Sequence, residues 1–378
     1  MILTQNWFSI KSITGLKMVD FKCTYYFPFK NTIPNYIDNY LEKNSFFKRY
    51  LKFIKRRFYI FLKGQNNLEV LAILPEHQNI LWINISASSL GDSLMDLSSR
   101  VMLRDKNIDL FTDHKNSNIY EDDLFFDRIF TRTKDVVKCT YDLVILDSYS
   151  TRSVKVKSKL EPLTPFLGMY GYFNGPEVNR VLFSFQQMNN LLGYSYSQSQ
   201  IDKIARTSMT ISASDQKIVE LLNLPIFFIA IVIGGEWKYR TFNKWALVVK
   251  ELLLKDNNLK IILLGSDNGK LAEKEILDQF STPNLISYIS RLTFNQTAEV
   301  ISRANLLFCC DGGLMHAANS FSIKTISLFA KLEAEMQLTL SCRSFPIFDK
   351  VDINNISVEN IMLKYDEAIN CDYNHPES

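Results

Sequence analysis

The chain has 378 residues, of which 47% are hydrophobic and 22% are charged. At about 150 residues per domain, this length predicts two domains with an extra segment and excludes a single small module. The composition is typical of a folded soluble protein and excludes wholesale disorder. The formal net charge is +3, but residues 1–91 contain 12 basic and five acidic side chains, so the basic excess lies at the front of the chain.

The cysteine, histidine and hydropathy patterns argue against metal-binding, disulfide-rich and membrane-spanning proteins. The six cysteines form no CxxC pair and the four histidines no HxxH or HExxH spacing, so we expect neither a metal site nor a disulfide framework. The N-terminus lacks a basic start followed by a long apolar region. The longest strongly apolar stretch, residues 224–233, is too short to span a membrane. These patterns predict a cytoplasmic, reduced protein.

The predicted elements fall into an N-terminal extension and a first domain. Residues 1–78 are rich in aromatic residues and show no clean period, so we interpret them as an extension of unknown fold packed on the first domain. From residue 79 short apolar runs alternate with amphipathic stretches, which predicts a Rossmann-like domain over 79–190. Its predicted elements are a strand at 80–85, a helix at 92–103, and strands at 108–112 and 141–147.

A second series of strands and helices follows a polar connection. Residues 191–224 are Gln- and Ser-rich and are predicted to join the domains, whereas residues 225–350 form the second Rossmann-like domain and residues 351–378 a C-terminal helix and tail. The predicted strands are 226–233, 260–264, 284–288, 306–310 and 325–329, and the helices are 242–254, 268–280, 294–303 and 314–319. Such folds bind ligands at the carboxyl ends of their strands.

The clearest candidate site is the segment Asp311-Gly-Gly-Leu-Met-His316, where a buried strand passes directly into a helix. Gly312 and Gly313 allow the backbone to approach a ligand, and the first N–H groups of the helix favour an anion. His316 adds a donor. In the alternative interpretation Asp311 caps the helix and His316 is a buried histidine with a protein partner.

The loop after the first predicted strand, Ser88-Ser-Leu-Gly-Asp92, carries the second candidate. Gly91 permits a tight turn, Ser89 lies in the same loop, and the carboxylate of Asp92 could serve as a general base. The alternative is that Asp92 caps the following helix and that the serines are ordinary loop residues. The residues alone leave both interpretations open.

Two glycine-containing loops of the second domain are further candidates. A Gly-Gly turn after a buried strand is followed by Lys238 and Arg240, either of which could neutralise a phosphate. Residues 265–270 have only three residues between the glycines and no Ser or Thr after the lysine, so they are not a P-loop. No GxGxxG follows a strand, which argues against a dinucleotide dehydrogenase. Gly265 remains a candidate for backbone contact with a ligand.

Residues 43–64 form a basic and aromatic run, with eight basic and seven aromatic residues and no acid. At about 1 kcal/mol per basic residue near an anionic leaflet, half of these charges would hold the protein reversibly on a membrane. Nucleic acid could attract the run equally, and a solvated helix packing its aromatic stripe on the domain is a third interpretation. The candidate membrane-surface residues are Lys48, Arg49, Lys52, Lys55, Arg56 and Arg57.

Taken in order, these segments resemble the family 9 glycosyltransferases, the heptosyltransferases that build the lipopolysaccharide inner core. Residues 80–96 resemble the family's strand–SSLGD–helix start, residues 231–245 its donor-phosphate loop, and residues 311–316 its D-x-G-x-x-H signature. The similarity covers roughly residues 79–350. It implies an α/β GT-B fold in which two Rossmann-like domains face each other across a cleft, with the acceptor on the first and the nucleotide-sugar on the second.

The resemblance also implies roles for individual residues. Asp92 would deprotonate the acceptor hydroxyl, with Ser89 and Gly91 in the acceptor-side loop. Lys238 would meet the donor phosphates, and the remaining donor-binding set would be Asp311, Gly312, Gly313 and His316. Arg240 and Gly265 join the donor side from their charge, conformation and position. The implied reaction is inverting transfer without metal or cofactor.

The implied partners are a nucleotide-sugar, ADP-heptose by default, and a lipid-linked oligosaccharide core acceptor. No nucleic acid is expected, and the protein would be cytoplasmic and peripheral on the inner membrane.

Three features depart from the family pattern. Gly312 stands where Ser or Thr is usual, residues 238–242 read Lys-Tyr-Arg-Thr-Phe where Lys-x-Trp-Pro is usual, and residues 1–78 have no counterpart. These departures motivate an alternative function, a non-catalytic nucleotide-sugar-binding or scaffold protein.

Overall fold

A computed structural model describes residues 46–136, 141–173 and 178–371. The first 45 residues, and with them most of the predicted extension, lie outside the described part, as do residues 372–378. The chain divides between Ala205 and Arg206 into two units. The boundary falls inside the segment predicted as a connection.

The first unit is a parallel five-stranded sheet with the order β3-β2-β1-β4-β5. Its central strand β1 is buried on both faces after its first residue, which is why its sequence is a continuous apolar run. The strands are β1 (Asn79–Asn84), β2 (Asn107–Thr112), β3 (Arg128–Phe130), β4 (Leu143–Leu146) and β5 (Phe166–Gly168). The helices are α1 (Phe46–Leu62), α2 (Leu90–Asp96), α3 (His114–Ser117), α4 (Thr151–Leu160), α5 (Arg180–Leu191) and α6 (Gln198–Ile204).

The second unit is a parallel six-stranded sheet with the order β11-β10-β9-β6-β7-β8. Its strands are β6 (Ile229–Val232), β7 (Ile261–Leu264), β8 (Leu285–Ser287), β9 (Leu306–Cys310), β10 (Thr325–Ala330) and β11 (Ser344–Asp349). Its helices are α7 (Ala213–Glu220), α8 (Trp245–Lys255), α9 (Lys270–Gln279), α10 (Phe294–Ser302), α11 (Gly313–Ser320) and α12 (Val358–Asn370).

Alternate residues of the second sheet contribute to two separate cores. Ile229 and Ile231 of β6 pack in one cluster with residues of α8 and α12. Ala230, between them, belongs to a second cluster with residues of α10 and α11. Because successive strand side chains point to opposite faces, helices on both faces bury the sheet completely. Both units therefore have the doubly wound α/β arrangement.

The structure corrects several predicted elements. The helix predicted over 92–103 is two elements, α2 and a separate 3₁₀ helix (Ser98–Leu103). Strands β3 and β5, with three residues each, were not predicted. Strand β11 was also missed. The predicted connection contains α6 and α7, whose first turns are capped by Ser197 and Ser212.

Helix α1 packs on the first unit, and this packing corrects one predicted surface residue. Phe53 and Ile60 are buried, and Ile60 joins the core around β1 and β4. Arg57, predicted to face a membrane, is buried as well, because its guanidinium hydrogen-bonds Glu69 and the hydroxyl of Tyr172. Arg57 therefore fixes the helix to the unit and is not a surface cation.

Candidate functional site

In the first unit the candidate base lies where the sheet order reverses. Strands β1 and β4 are neighbours at this point, and the loop after β1 leads directly into α2. Ser89 is the N-cap of α2 and accepts a hydrogen bond from the backbone N–H of Asp92. The capping residue is thus Ser89, and Asp92 lies in the first helical turn.

The carboxylate of Asp92 is held on both oxygens. Its Oδ2 accepts a hydrogen bond from the hydroxyl of Ser88, and its Oδ1 lies 3.1 Å from Nη1 of Arg180. The side chains of Asp92 and Arg180 are 20% and 23% exposed. The carboxylate is therefore oriented by the protein and still reachable from solvent, as a general base must be.

Arg180 is the hub of a polar cluster that sequence reasoning missed. Its Nε and Nη2 donate to the two carboxylate oxygens of Asp96, each at 2.8 Å, and Tyr170 donates to Asp96 Oδ1 at 2.9 Å. Burial alone would lower the pKa of Arg180, but Asp96 and Tyr170 raise it well above its ordinary value. A permanent positive charge therefore lies beside Asp92.

The loop after β1 is held by hydrogen bonds to Asp147, which directly follows β4. Its Oδ2 accepts hydrogen bonds from the backbone N–H groups of Ile85 and Ser86 at 3.0 and 2.8 Å. Its Oδ1 accepts from Ser153 at 2.6 Å. This buried carboxylate fixes the path of the chain toward Ser88. Asp147 ended a predicted strand, so the carboxyl-end rule could have identified it.

In the second unit two predicted segments meet at the corresponding position. Strands β6 and β9 are neighbours, so the loops that follow them lie side by side. Arg240, from the loop after β6, forms an ion pair with Asp311 after β9, with 3.0 Å between Nη1 and Oδ2. Lys238 is exposed at the start of the same 3₁₀ turn. Arg240 thus has a protein partner, whereas Lys238 faces solvent.

The glycines of this region serve different purposes. Gly265 has a φ of 146°, and a Cβ there would lie 2.4 Å from the carbonyl oxygen of Ile233, so close backbone packing requires glycine. Gly312 is the N-cap of α11 with an extended φ of 173°. A Cβ on Gly312 would meet only Cys310 O, at 3.9 Å. Because Gly312 is the cap, Asp311 is not the capping residue.

His316 lies one turn into α11 and is 2% exposed. Its Nε2 is 3.2 Å from Oε1 of Gln337, and its backbone oxygen accepts a hydrogen bond from Thr207 at 2.6 Å. Because Oε1 is an acceptor, Nε2 acts as the donor in this pair. The protein thus orients the ring, as the alternative of a buried histidine with a partner expected.

Two further residues near the second-unit loops were not predicted. The ammonium of Lys331, directly after β10, lies 4.1 Å from the centre of the Tyr239 ring. The guanidinium of Arg240 lies 5.4 Å from the same ring. The Tyr239 ring therefore lies close to two cations, and Lys238 precedes it in the chain. Lys331 could have been identified from the sequence by its position shortly after a predicted strand.

Within the three described ranges, no group of three or more His, Cys, Asp or Glu side chains could hold a metal ion. Within the same ranges, no helix has the length and apolar character needed to cross a membrane.

Comparison with known proteins identifies the domain that carries the second site. Residues 173–343 match the sequence profile of glycosyltransferase family 9 (heptosyltransferase). The matched stretch, which is less than half of the chain, is similar to that family. The predicted resemblance is thereby confirmed, and the protein is a glycosyltransferase. The match includes Lys238 and the 311–316 segment, whereas Asp92 lies before it. No curated protein matches the sequence.

Solved structures agree on the fold. A family 9 glycosyltransferase from Veillonella parvula superposes with a TM-score of 0.66 at 13% identity, covering 79% of this chain and 99% of that one. The E. coli ADP-heptose lps heptosyltransferase II gives 0.61 at 15% identity, with 77% and 98% covered. E. coli heptosyltransferase WaaC with ADP gives 0.58 at 14% identity, with 77% and 100% covered. At these identities the likeness shows the fold, that of the GT-B glycosyltransferases.

Proposed function

We propose that this glycosyltransferase moves a sugar, by default heptose, from a nucleoside-diphosphate sugar to a lipid-linked lipopolysaccharide or lipooligosaccharide core acceptor. The transfer is inverting and needs no metal. The observation that carries the proposal is the placement of Asp92. Its carboxylate is held by Ser88 and Arg180 at the carboxyl end of β1, in the position where such a fold presents a catalytic base.

Asp92 would act on the acceptor hydroxyl. As the acceptor oxygen forms its bond to the anomeric carbon, its proton passes to the Asp92 carboxylate. The bond between that carbon and the phosphate oxygen breaks on the opposite face, and its electron pair leaves with the nucleoside diphosphate. The guanidinium of Arg180, 3.1 Å from Asp92, holds the carboxylate in place before the reaction.

The donor side would bind and stabilise the departing diphosphate. Lys238 is exposed and supplies a mobile positive charge, and Gly312 and Gly313 open α11, whose first N–H groups favour an anion. Arg240 would orient Asp311 through their ion pair so that Asp311 can accept hydrogen bonds from sugar hydroxyls.

Gly265 and His316 would support the donor site from within. Gly265 lets the loop after β7 run against the end of β6. His316 would help to bind the donor, with its ring in the orientation set by Gln337.

The sugar and its acceptor are assigned from the family. The matching profile is described as heptosyltransferase, and two of the similar structures are heptosyltransferases, one of them with ADP bound. ADP-heptose is therefore the first donor to test. A core acceptor attached to lipid would place the reaction at the cytoplasmic face of the inner membrane.

Calorimetric titration with ADP-heptose, UDP-sugars, GDP-sugars and the free diphosphates tests the donor assignment. We expect one nucleotide-sugar to bind, and we expect binding to weaken at least tenfold in Lys238→Ala, since charge-assisted contacts contribute about 1.5–3 kcal/mol. Lys250→Ala, an exposed lysine of the same unit, is the matched control. Absence of binding to every compound would favour the scaffold alternative, whereas sugar transfer to any acceptor would exclude that alternative.

A further inference from the structure

Helix α1 presents three different faces around its circumference. At about 100° per residue, Phe53, Arg57 and Ile60 share one face, and all three are buried against the first unit. A second face is apolar and exposed. A third face carries lysines. The first face packs on the other described elements of the unit.

The exposed face is a continuous apolar stripe. Its residues follow the spacing i, i+4, i+7, i+11 and i+14, which places them in one line along the helix. Their exposed fractions lie between 38% and 65%, and Leu62 extends the stripe at the C-terminal end. Large apolar side chains concentrated on one exposed surface mark an interaction site. The stripe consists of Phe47, Leu51, Ile54, Phe58 and Phe61.

The third face adjoins the stripe and is basic. Lys48, Lys52 and Lys55 are exposed along it, and the helix contains no acidic residue. Burial lowers the pKa of Lys52, and repulsion from the neighbouring Arg56 lowers it further. An anionic partner would relieve that repulsion.

We propose that α1 is an interfacial anchor that inserts its apolar stripe into an anionic membrane while the adjacent lysines contact lipid headgroups. A bilayer surface offers apolar and anionic partners side by side in one plane, as the two faces of α1 require. Nucleic acid would satisfy the lysines and leave the stripe in water. A second copy paired through the same helix would bring like charges together.

The contacts of Arg57 make the anchor rigid. Because Arg57 hydrogen-bonds Glu69 and Tyr172, and Phe53 packs edge-to-face on Tyr172 at 4.8 Å, the helix moves with the first unit. Insertion of the stripe would therefore set the orientation of that unit on the membrane. The anchor does not depend on the transfer reaction, although a lipid-linked acceptor in the proposed function would give it a use.

Flotation of the full-length protein with phosphatidylglycerol-containing vesicles tests the anchor. We expect wild-type protein to float with anionic vesicles and much less with phosphatidylcholine alone. Lys48→Gln/Lys52→Gln/Lys55→Gln should weaken partitioning about fivefold per lysine, or about a hundredfold in total. Lys217→Gln/Lys250→Gln/Lys274→Gln, which changes three exposed lysines of the second unit, should float like wild type.

The apolar stripe is tested in the same assay. Phe47→Ser/Leu51→Ser/Phe58→Ser should lose flotation, at about tenfold or more per residue. The matched control, Leu254→Ser/Leu271→Ser/Leu363→Ser, removes exposed leucines of the second unit and should float normally. These sites are exposed, so circular dichroism should report wild-type folding.

Three results would overturn the anchor. Undiminished flotation of the stripe variant would exclude insertion, and equal binding to neutral vesicles would exclude headgroup contact. Concentration-dependent dimerisation that is lost in the stripe variant, without vesicle binding by wild type, would assign the stripe to a second copy. Donor titration of the same variants separates this test from the proposed function, because the donor site lies in the other unit.

Discussion

Replacing Asp92 with asparagine is expected to abolish most transfer while leaving the fold intact. Asparagine keeps the volume of the side chain and an oxygen that can accept from Arg180, but it cannot take the acceptor proton at neutral pH. A positioned general base contributes about 10²–10⁴-fold to a rate. We therefore expect kcat to fall by that factor, which corresponds to about 3–5 kcal/mol in the activation free energy.

The expected cost in stability is much smaller. The Asp92–Arg180 contact is 3.1 Å long, and its side chains are 20% and 23% exposed. Ion pairs with this access to solvent contribute about 1 kcal/mol or less. Ser89 caps α2 through the backbone of residue 92, which the substitution does not alter. The loss in activation free energy should thus exceed the loss in unfolding free energy several times over.

Asp96 provides the contrasting variant. It makes two 2.8 Å contacts with Arg180 and its side chain is only 4% exposed. Asp96→Asn removes a buried charge and leaves Arg180 without its main partner, which typically costs about 3–5 kcal/mol. We expect a large fall in stability here and a small one in Asp92→Asn. Asp105→Asn, at a side chain 69% exposed, is the neutral control.

The assay combines initial rates of sugar transfer, donor affinity by calorimetry and urea unfolding followed by circular dichroism. Asp92→Asn should bind the donor like wild type, because Asp92 lies in the first unit and the donor loops in the second. The assignment fails if the variant transfers sugar at close to the wild-type rate. It also fails if the rate loss is matched by an equal loss of folded protein.

Four further predictions concern stability. Burial lowers the pKa of Lys157 to about 7 in the folded protein, so between pH 7 and about 10 the unfolded chain holds the extra proton and stability should rise with pH. That rise should be missing in Lys157→Met, as measured by urea unfolding across the range. Gly312→Ser should change stability by less than about 0.5 kcal/mol, because the site is extended and open. Gly265→Ala should cost about 1–3 kcal/mol, because φ is 146° and a backbone oxygen lies in the way. Arg100→Met should cost about 3–5 kcal/mol by leaving the fully buried carboxylate of Asp123 unpaired.

Each of these stability predictions has a result that would contradict it. A wild-type protein whose stability falls between pH 7 and 10 would reverse the assigned sign for Lys157. Equal melting temperatures for the two glycine variants would show that the close contact at Gly265 is relieved by backbone movement. Wild-type stability in Arg100→Met would mean that water reaches Asp123 after the arginine is removed.

The strands of the second unit were predicted more completely than those of the first: among the described strands, β11 was missed in the second unit and β3 and β5 in the first. Strand β9 has the predicted limits, and α11 differs from its prediction by one residue at each end. Strands β3 and β5 pair at the sheet edges with three residues each and carry no recognisable period. Helix α1 illustrates an intermediate case. Its charges and aromatic residues were evident, but burial of Arg57 depended on Glu69 and Tyr172.

The sequence by itself determined the alternation of strands and helices and the positions of Asp92, Lys238 and the 311–316 segment. It could do so because apolar runs and glycine turns act over a few neighbouring residues. Only the tertiary structure decided which charges meet. Arg180 reaches Asp92 across 88 residues of chain, and Arg240 reaches Asp311 from a different loop. Such pairs form because parallel strands bring their carboxyl ends to one edge of a sheet, and the strand order that does this is set by packing of the whole unit.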